Sequence, residues 1–210
     1  MNYNVLKKIF PEENCISFNN LKYDSEGLWS ISHPKSADDI SKKIKLFEKS
    51  GLTINTIMDS TAGLGGNTLS FAKYFNKIIS VEYDTNRFSI LKNNVSNYTY
   101  NNIELYNQDF LQTLSEINID IDAIFIDPPW GGPNYKYDSN LKIQISNIDI
   151  KNICKIIYNY NSNGNKIKIA VFKLPYNYDY ISIVNNCSDI IKIHNIIKEN
   201  NIVYLFIVFN

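Results

Sequence analysis

Ile54-Asn55-Thr56-Ile57-Met58-Asp59-Ser60-Thr61-Ala62-Gly63-Leu64-Gly65-Gly66-Asn67-Thr68 reads as a strand, a glycine-rich loop and the opening turn of a helix. The apolar run Ile54–Met58 suits a buried parallel strand. Glycines after it let a backbone approach a ligand closely, and a helix N-terminus offers amides without partners. Leu69, Phe71 and Ala72 carry the helix onward. The loop lacks the lysine of a phosphate-binding loop, which disfavours nucleotide triphosphate hydrolysis. Phosphate and dinucleotide binders share such loops, so what surrounds this one decides the reading.

Downstream, Lys77–Val81 is the next strand and ends at Glu82-Tyr83-Asp84. Glu82 follows the first loop glycine at about the 20-residue spacing that lets a carboxylate accept bonds from ribose hydroxyls. Asp84 caps a helix running from Thr85 towards Tyr98, with Phe88, Leu91 and Val95 inward. Ile103–Tyr106 is a third strand, and Asp109-Phe110 follows it. That pair reads equally as a helix cap or as a carboxylate and ring for a purine. Ala123–Ile126, the fourth strand, delivers Asp127-Pro128-Pro129-Trp130-Gly131-Gly132-Pro133-Asn134-Tyr135. In open α/β sheets ligands gather beyond the carboxyl ends of parallel strands. Two prolines fix the backbone and remove two donors, leaving rigid acceptors suited to holding an amino group. Trp130 offers an aromatic face beside them.

Residues 1–50 read as an extension ahead of the sheet and residues 51–210 as the main domain. In the extension, 24–27 signals a turn, 28–34 reads as extended before Pro34, and Ser36 or Asp38 is the candidate cap of a helix reaching Lys49. Ile40, Ile44 and Phe47 share one face of that helix, and Gly51 stops it. Towards the C-terminus, 148–160 and 178–186 read as helices and 166–172, 190–197 and 202–209 as strands. Residues 173–177 form a strand-end loop, and Asn200-Asn201 closes a terminal hairpin.

Lysine plus arginine is 21 and aspartate plus glutamate is 21. That balance argues against tracking a long nucleic acid by charge, while a short charged end-group stays within reach. Lysines between 35 and 49 read as a solvated face, with contact to a phosphate chain as the alternative. Cys15, Cys154 and Cys187 lack metal-ligand spacing, and with two histidines no metal site is expected; reduced, intracellular thiols follow. The longest apolar stretch, 202–209, is strand-sized, so no membrane span is expected.

Together these features resemble the class I methyltransferases that act on exocyclic base amines, and specifically the trimethylguanosine synthases, RNA cap guanine-N2 methyltransferases. The resemblance covers roughly residues 18–210. It is carried by Gly27–Pro34, Asp59–Thr68, Asp109-Phe110 and above all Pro128–Tyr135. It implies a Rossmann-like α/β fold: a seven-stranded, mostly parallel sheet with its last strand antiparallel, helices on both faces, and a helical N-terminal lobe over the pocket. It also implies S-adenosyl-L-methionine held by Asp59, Ala62, Gly63, Gly65, Asn67, Thr68, Glu82, Tyr83, Asp109 and Phe110. The implied substrate is a 7-methylguanosine cap on RNA, or a cap nucleotide, bound by Trp130, Pro128, Tyr135, His33 and Lys173. Asp127, Pro128 and Trp130 are the implied catalytic residues. A monomer is expected, in a nucleus, a cytoplasm or a viral replication site. Animal members carry serine where Asp127 stands and commonly threonine where His33 stands, and some carry arginine at the position of Tyr176. Rival readings are an adenine-N6 methyltransferase, a catalytically silent cap-binding module, and a glutamine-side-chain methyltransferase. Gly131-Gly132 and the retained donor residues weigh against all three.

Overall fold

A computed structural model describes residues 3–162 and 165–210. The principal strands are β1 (Thr56–Asp59), β2 (Lys77–Val81), β3 (Ile103–Tyr106), β4 (Ala123–Ile126), β5 (Ile169–Pro175), β6 (Ile191–Glu199) and β7 (Ile202–Phe209). They form one seven-stranded sheet in the order β6-β7-β5-β4-β1-β2-β3. The β1–β2, β2–β3 and β4–β5 pairs are parallel, and β7 runs antiparallel to both β5 and β6. The Rossmann-like expectation therefore holds, including the reversed last strand.

Two compact units make up the chain, Met1–Thr113 and Leu114–Asn210. In the first, residues 3–50 form helices α1 (Tyr3–Ile9), α2 (Ser25–Ser30) and α3 (Pro34–Leu46) with two 3₁₀ turns. Helix α4 (Gly66–Tyr74) follows the glycine loop, and α5 (Thr85–Ser96) follows β2. One apolar cluster joins Leu6, Ile9, Phe10 and Leu21 to Leu64 of the loop and Leu69 of α4. Helices α3 and α4 also share a buried hydroxyl contact, Ser41 Oγ to Ser70 Oγ at 2.7 Å. At Gly66 a Cβ would lie 2.8 Å from the Ser32 carbonyl oxygen, so only glycine lets the two backbones meet.

Two expectations fail in this unit. Residues 28–30 are helical, because the Asp24 side chain accepts from the Gly27 amide and starts α2; the extended stretch before Pro34 is confined to 31–33. Helix α3 begins at Pro34, not at a Ser36 or Asp38 cap. Proline's fixed φ suits the first helical position, and Asp38 instead binds Tyr74 and Lys42.

The second unit holds the end of α6 (Phe110–Glu116), then β4, α7 (Ile150–Asn159), β5, α8 (Ile181–Asn186) and the β6–β7 hairpin. Helix α7 is capped by Asp149, whose side chain accepts from the Lys151 amide. The expected loop at 173–177 begins later, because β5 reaches Pro175. Its parallel pairing with β4 stops at Ile126↔Phe172, but the antiparallel ladder to β7 continues through Tyr204↔Lys173 and Ile202↔Pro175. Cys154 and Cys187, distant in sequence, are both buried, with their thiols in mutual contact. The hairpin turns at Asn200, whose φ of 54° is a left-handed value that asparagine tolerates. No helix among the described residues is long and apolar enough to cross a membrane.

Candidate active site

In Met1–Thr113 the candidate donor residues gather at the carboxyl ends of β1, β2 and β3. Asp59 ends β1 fully buried, and Thr68 Oγ1 donates to its Oδ2 at 2.6 Å. The same hydroxyl meets Ser80 Oγ at 2.7 Å, so Asp59 and Thr68 fasten β1 to α4 and β2. The loop between them is closed by backbone: the Ala62 amide donates to Val81 O and the Gly65 amide to Ala62 O, both at 2.9 Å. Glu82 is held from two sides, Oε2 accepting from the Gly63 amide at 2.9 Å and Oε1 from the Asp84 amide at 2.8 Å. Burial pushes its proton affinity above the ordinary carboxylate range, against the pull of these amides. Tyr83 beside it is 77% exposed, a ring open to solvent.

Asn67 donates to Ser32 Oγ at 3.1 Å, while its buried Oδ1 has no hydrogen-bond partner among the described residues. An unmatched acceptor on the glycine-loop helix fits a ligand that carries N–H donors, as the amino-acid end of S-adenosyl-L-methionine does. Asp109 Oδ1 accepts from the Leu111 amide at 2.8 Å, a capping bond at the start of α6. Phe110 is buried rather than presented as an open ring. His33 is exposed, and its Nδ1 donates to the Lys8 carbonyl at 3.0 Å, tying the start of α3 to α1.

Two asparagines in this unit escaped the sequence reading. Asn107 Nδ2 donates to the carbonyls of Glu82 at 2.8 Å and Tyr83 at 3.1 Å, fixing the end of β2. Asn94, wholly buried on α5, accepts from the Lys22 amide at 2.8 Å and donates to the carbonyls of Lys22 at 3.0 Å and Leu64 at 3.1 Å. A polar residue on the inward face with Leu91 and Val95 was the available signal.

In Leu114–Asn210 the acceptor candidates follow β4. Pro128 is buried and Pro129 exposed, while Trp130 and Tyr135 are half-buried. The indole and the phenol meet edge to face, with ring centres 5.0 Å apart and planes at 77°. Gly131 and Gly132 have φ of 88° and 84°, so two successive left-handed residues bend the chain from Trp130 into the 3₁₀ turn Pro133–Tyr137. Asn177 Nδ2 secures that turn through the carbonyls of Tyr135 at 2.9 Å and Asp138 at 2.8 Å. Asp127 Oδ2 accepts from Lys173 Nζ at 2.5 Å, and their side chains are 16% and 7% exposed. Lys173 thus sits inside β5, its ammonium on Asp127 and 5.8 Å from the Trp130 ring centre. Burial pushes Asp127 above the usual carboxylate range, and Lys173 pulls against it. Trp130 Nε1 is buried with no hydrogen-bond partner among the described residues.

An uncharacterised protein of Acanthamoeba polyphaga mimivirus is 35% identical over 157 residues, 74% of this chain and 54% of that one. The trimethylguanosine synthase of Schizosaccharomyces pombe is 33% identical over 122 residues, 52% of this chain and 49% of that protein. The chain thus spans about half the length of these curated relatives. Among solved structures, a T. thermophilus 16S rRNA N2 methyltransferase in complex with AdoMet and guanosine matches with a TM-score of 0.60 at 14% identity, over 90% of this chain and 44% of that one. It shares the fold. Residues 54–210, which contain the glycine loop, Glu82, the Asp127–Tyr135 corner and Lys173, match the profile of the RNA cap guanine-N2 methyltransferases, and the chain belongs to that family.

Proposed function

We propose that the chain methylates the exocyclic N2 amine of a 7-methylguanosine RNA cap, once or twice, with S-adenosyl-L-methionine as donor. One observation carries the reading beyond family membership: the half-buried Trp130, braced edge-on by Tyr135, directly follows the Asp127-Pro128-Pro129 corner. Methylation at N7 leaves a purine cationic, and a cation over an indole gains roughly 0.5 to 2 kcal/mol. Trp130 therefore favours 7-methylguanine over plain guanine. The flanking prolines hold the Pro128 carbonyl and the Asp127 carboxylate as fixed acceptors for the hydrogens of an arylamine, whose lone pair is otherwise delocalised into the ring. Fixing that nitrogen supplies part of the barrier reduction by orientation alone.

On the donor side, Asp59, the 62–68 loop, Glu82 and Tyr83 would hold the methyl donor, with Glu82 taking the ribose hydroxyls and Asn67 Oδ1 an N–H group. When bound, the donor supplies a methyl group made electrophilic by a sulfonium. The 127–135 corner orients the amine and receives its hydrogen bonds.

Mass spectrometry of a 7-methylguanosine diphosphate analogue after incubation with the donor tests the proposal. A gain of one or two methyl groups on N2 is expected, with unmethylated guanosine diphosphate a much poorer substrate. Methylation of adenine in RNA with none on the analogue would make the chain an adenine-N6 enzyme. Donor binding without turnover on either would make it a silent module.

A further inference from the structure

We infer that Lys173 is a positioning residue for this reaction, holding the Asp127 carboxylate charged and fixed beside Trp130 so that it receives the proton shed by the substrate amine. The inference rests on the function proposed above and assigns Lys173 a role other than contact with cap phosphates.

The pair is written into the strand register. Ile126 and Phe172 are partners in the parallel β4–β5 ladder, so Asp127 and Lys173 are the next step on both chains. Side chains alternate along strands, which puts both on the face opposite Ile126 and Phe172. Across the other ladder, Lys173 is opposite Tyr204 of β7, a buried residue, so a row of Asp127, Lys173 and Tyr204 crosses three strands. Lys173 Nζ is 2.5 Å from Asp127 Oδ2, and its side chain is only 7% exposed. Reaching a phosphate in solvent would break that contact and take the ammonium away from a buried carboxylate, which is unfavourable. Burial favours protonation of Asp127, and the Lys173 ammonium opposes it.

The chemistry has a use for such a group. After the N2 nitrogen has formed its bond to the methyl carbon it is a secondary arylammonium. One N–H bond then breaks, its electron pair stays on nitrogen, and the proton forms an O–H bond on Asp127. Water takes the proton later and restores the carboxylate. A carboxylate already protonated at working pH could not take part. Lysine thereby sets the lower pH limit of the reaction.

The test follows the Asp127 carboxyl by ¹³C NMR, with Asp127→Asn for assignment, in the wild type and in Lys173→Met and Lys173→Arg. It is paired with the pH profile of kcat/KM on 7-methylguanosine diphosphate. Lys173→Met should move the Asp127 titration and the acid limb upward together by about one pH unit, so that activity on the acid side falls about tenfold. Lys173→Arg should restore both, and donor affinity should stay within about twofold. A merely structural lysine would lower Tm and leave the limb in place, which overturns the inference. Wild-type Asp127 found protonated at neutral pH overturns it as well, and that measurement needs no variant to fold. Wild-type protein that leaves the cap analogue unmethylated overturns the functional reading instead, since the carboxyl titration uses no substrate.

Discussion

The two units stiffen their candidate binding loops by different means. In Met1–Thr113 the glycine loop is soft in composition and is made rigid by partners: Glu82 holds the Gly63 amide, Asn94 the Leu64 carbonyl, and Asn107 the backbone of Glu82 and Tyr83. In Leu114–Asn210 the corner is stiff by covalent structure, with two prolines in a row, and the Asp127–Lys173 pair and the Asn177 clamp add polar bracing. A loop braced by hydrogen bonds fails as a network when one brace is lost, because buried backbone groups are left unmatched. A proline corner keeps its shape when a side chain is removed. Damage in the first unit should therefore appear as lost stability and donor affinity, and damage in the second as lost turnover in a folded protein.

The sharpest separation is expected from Trp130→Ala. Loss of the stacking face should lower kcat/KM on the cap analogue about a hundredfold, with Tm and donor affinity from calorimetry nearly unchanged. Equal loss of donor affinity would break the division of labour. Asn94→Ala, its counterpart in the first unit, removes three hydrogen bonds to backbone and should cost about 2 to 3 kcal/mol in urea unfolding, with weaker donor binding. Unchanged stability would mean that solvent replaces the brace. Asn177→Ala should be milder, raising KM for the cap analogue about fivefold with little change in kcat, since the 3₁₀ turn loses its anchor but not the proline corner. A kcat effect larger than the KM effect would place Asn177 nearer the chemistry.

Glu82→Gln sharpens the comparison through pH. Burial raises the folded-state proton affinity of Glu82, so its contribution to stability is fullest below the unfolded carboxylate value, about 4.3, and is lost as pH rises through the folded value. Wild type should therefore gain in Tm relative to the glutamine variant as pH is lowered from 8 to about 5. Parallel Tm curves would show that the two amide bonds cancel the effect of burial.

Much of this was legible in the residues because the informative patterns are local. The strands at 77–81 and 103–106, the Asp84 cap and the terminal hairpin follow from apolar runs, a capping side chain and a turn pair that act within a few positions. What was not legible depends on pairing between distant segments. β5 runs past Phe172 because β7 continues the ladder, and this turns Lys173 from a loop residue into a buried partner of Asp127. Asn94 and Asn107 bind backbone carbonyls that no spacing rule points to. Helix α2 was hidden by the proline that follows it, which governs only the residues immediately before the ring.

The apolar cluster that joins Leu6, Ile9, Phe10 and Leu21 to Leu64 and Leu69 has a practical corollary for anyone trimming the protein. A shortened version starting at residue 54, where the family match begins, would bare a greasy flank of the glycine loop to water. Such a fragment would be sticky and poorly soluble, and its idle chemistry would say nothing about the intact chain.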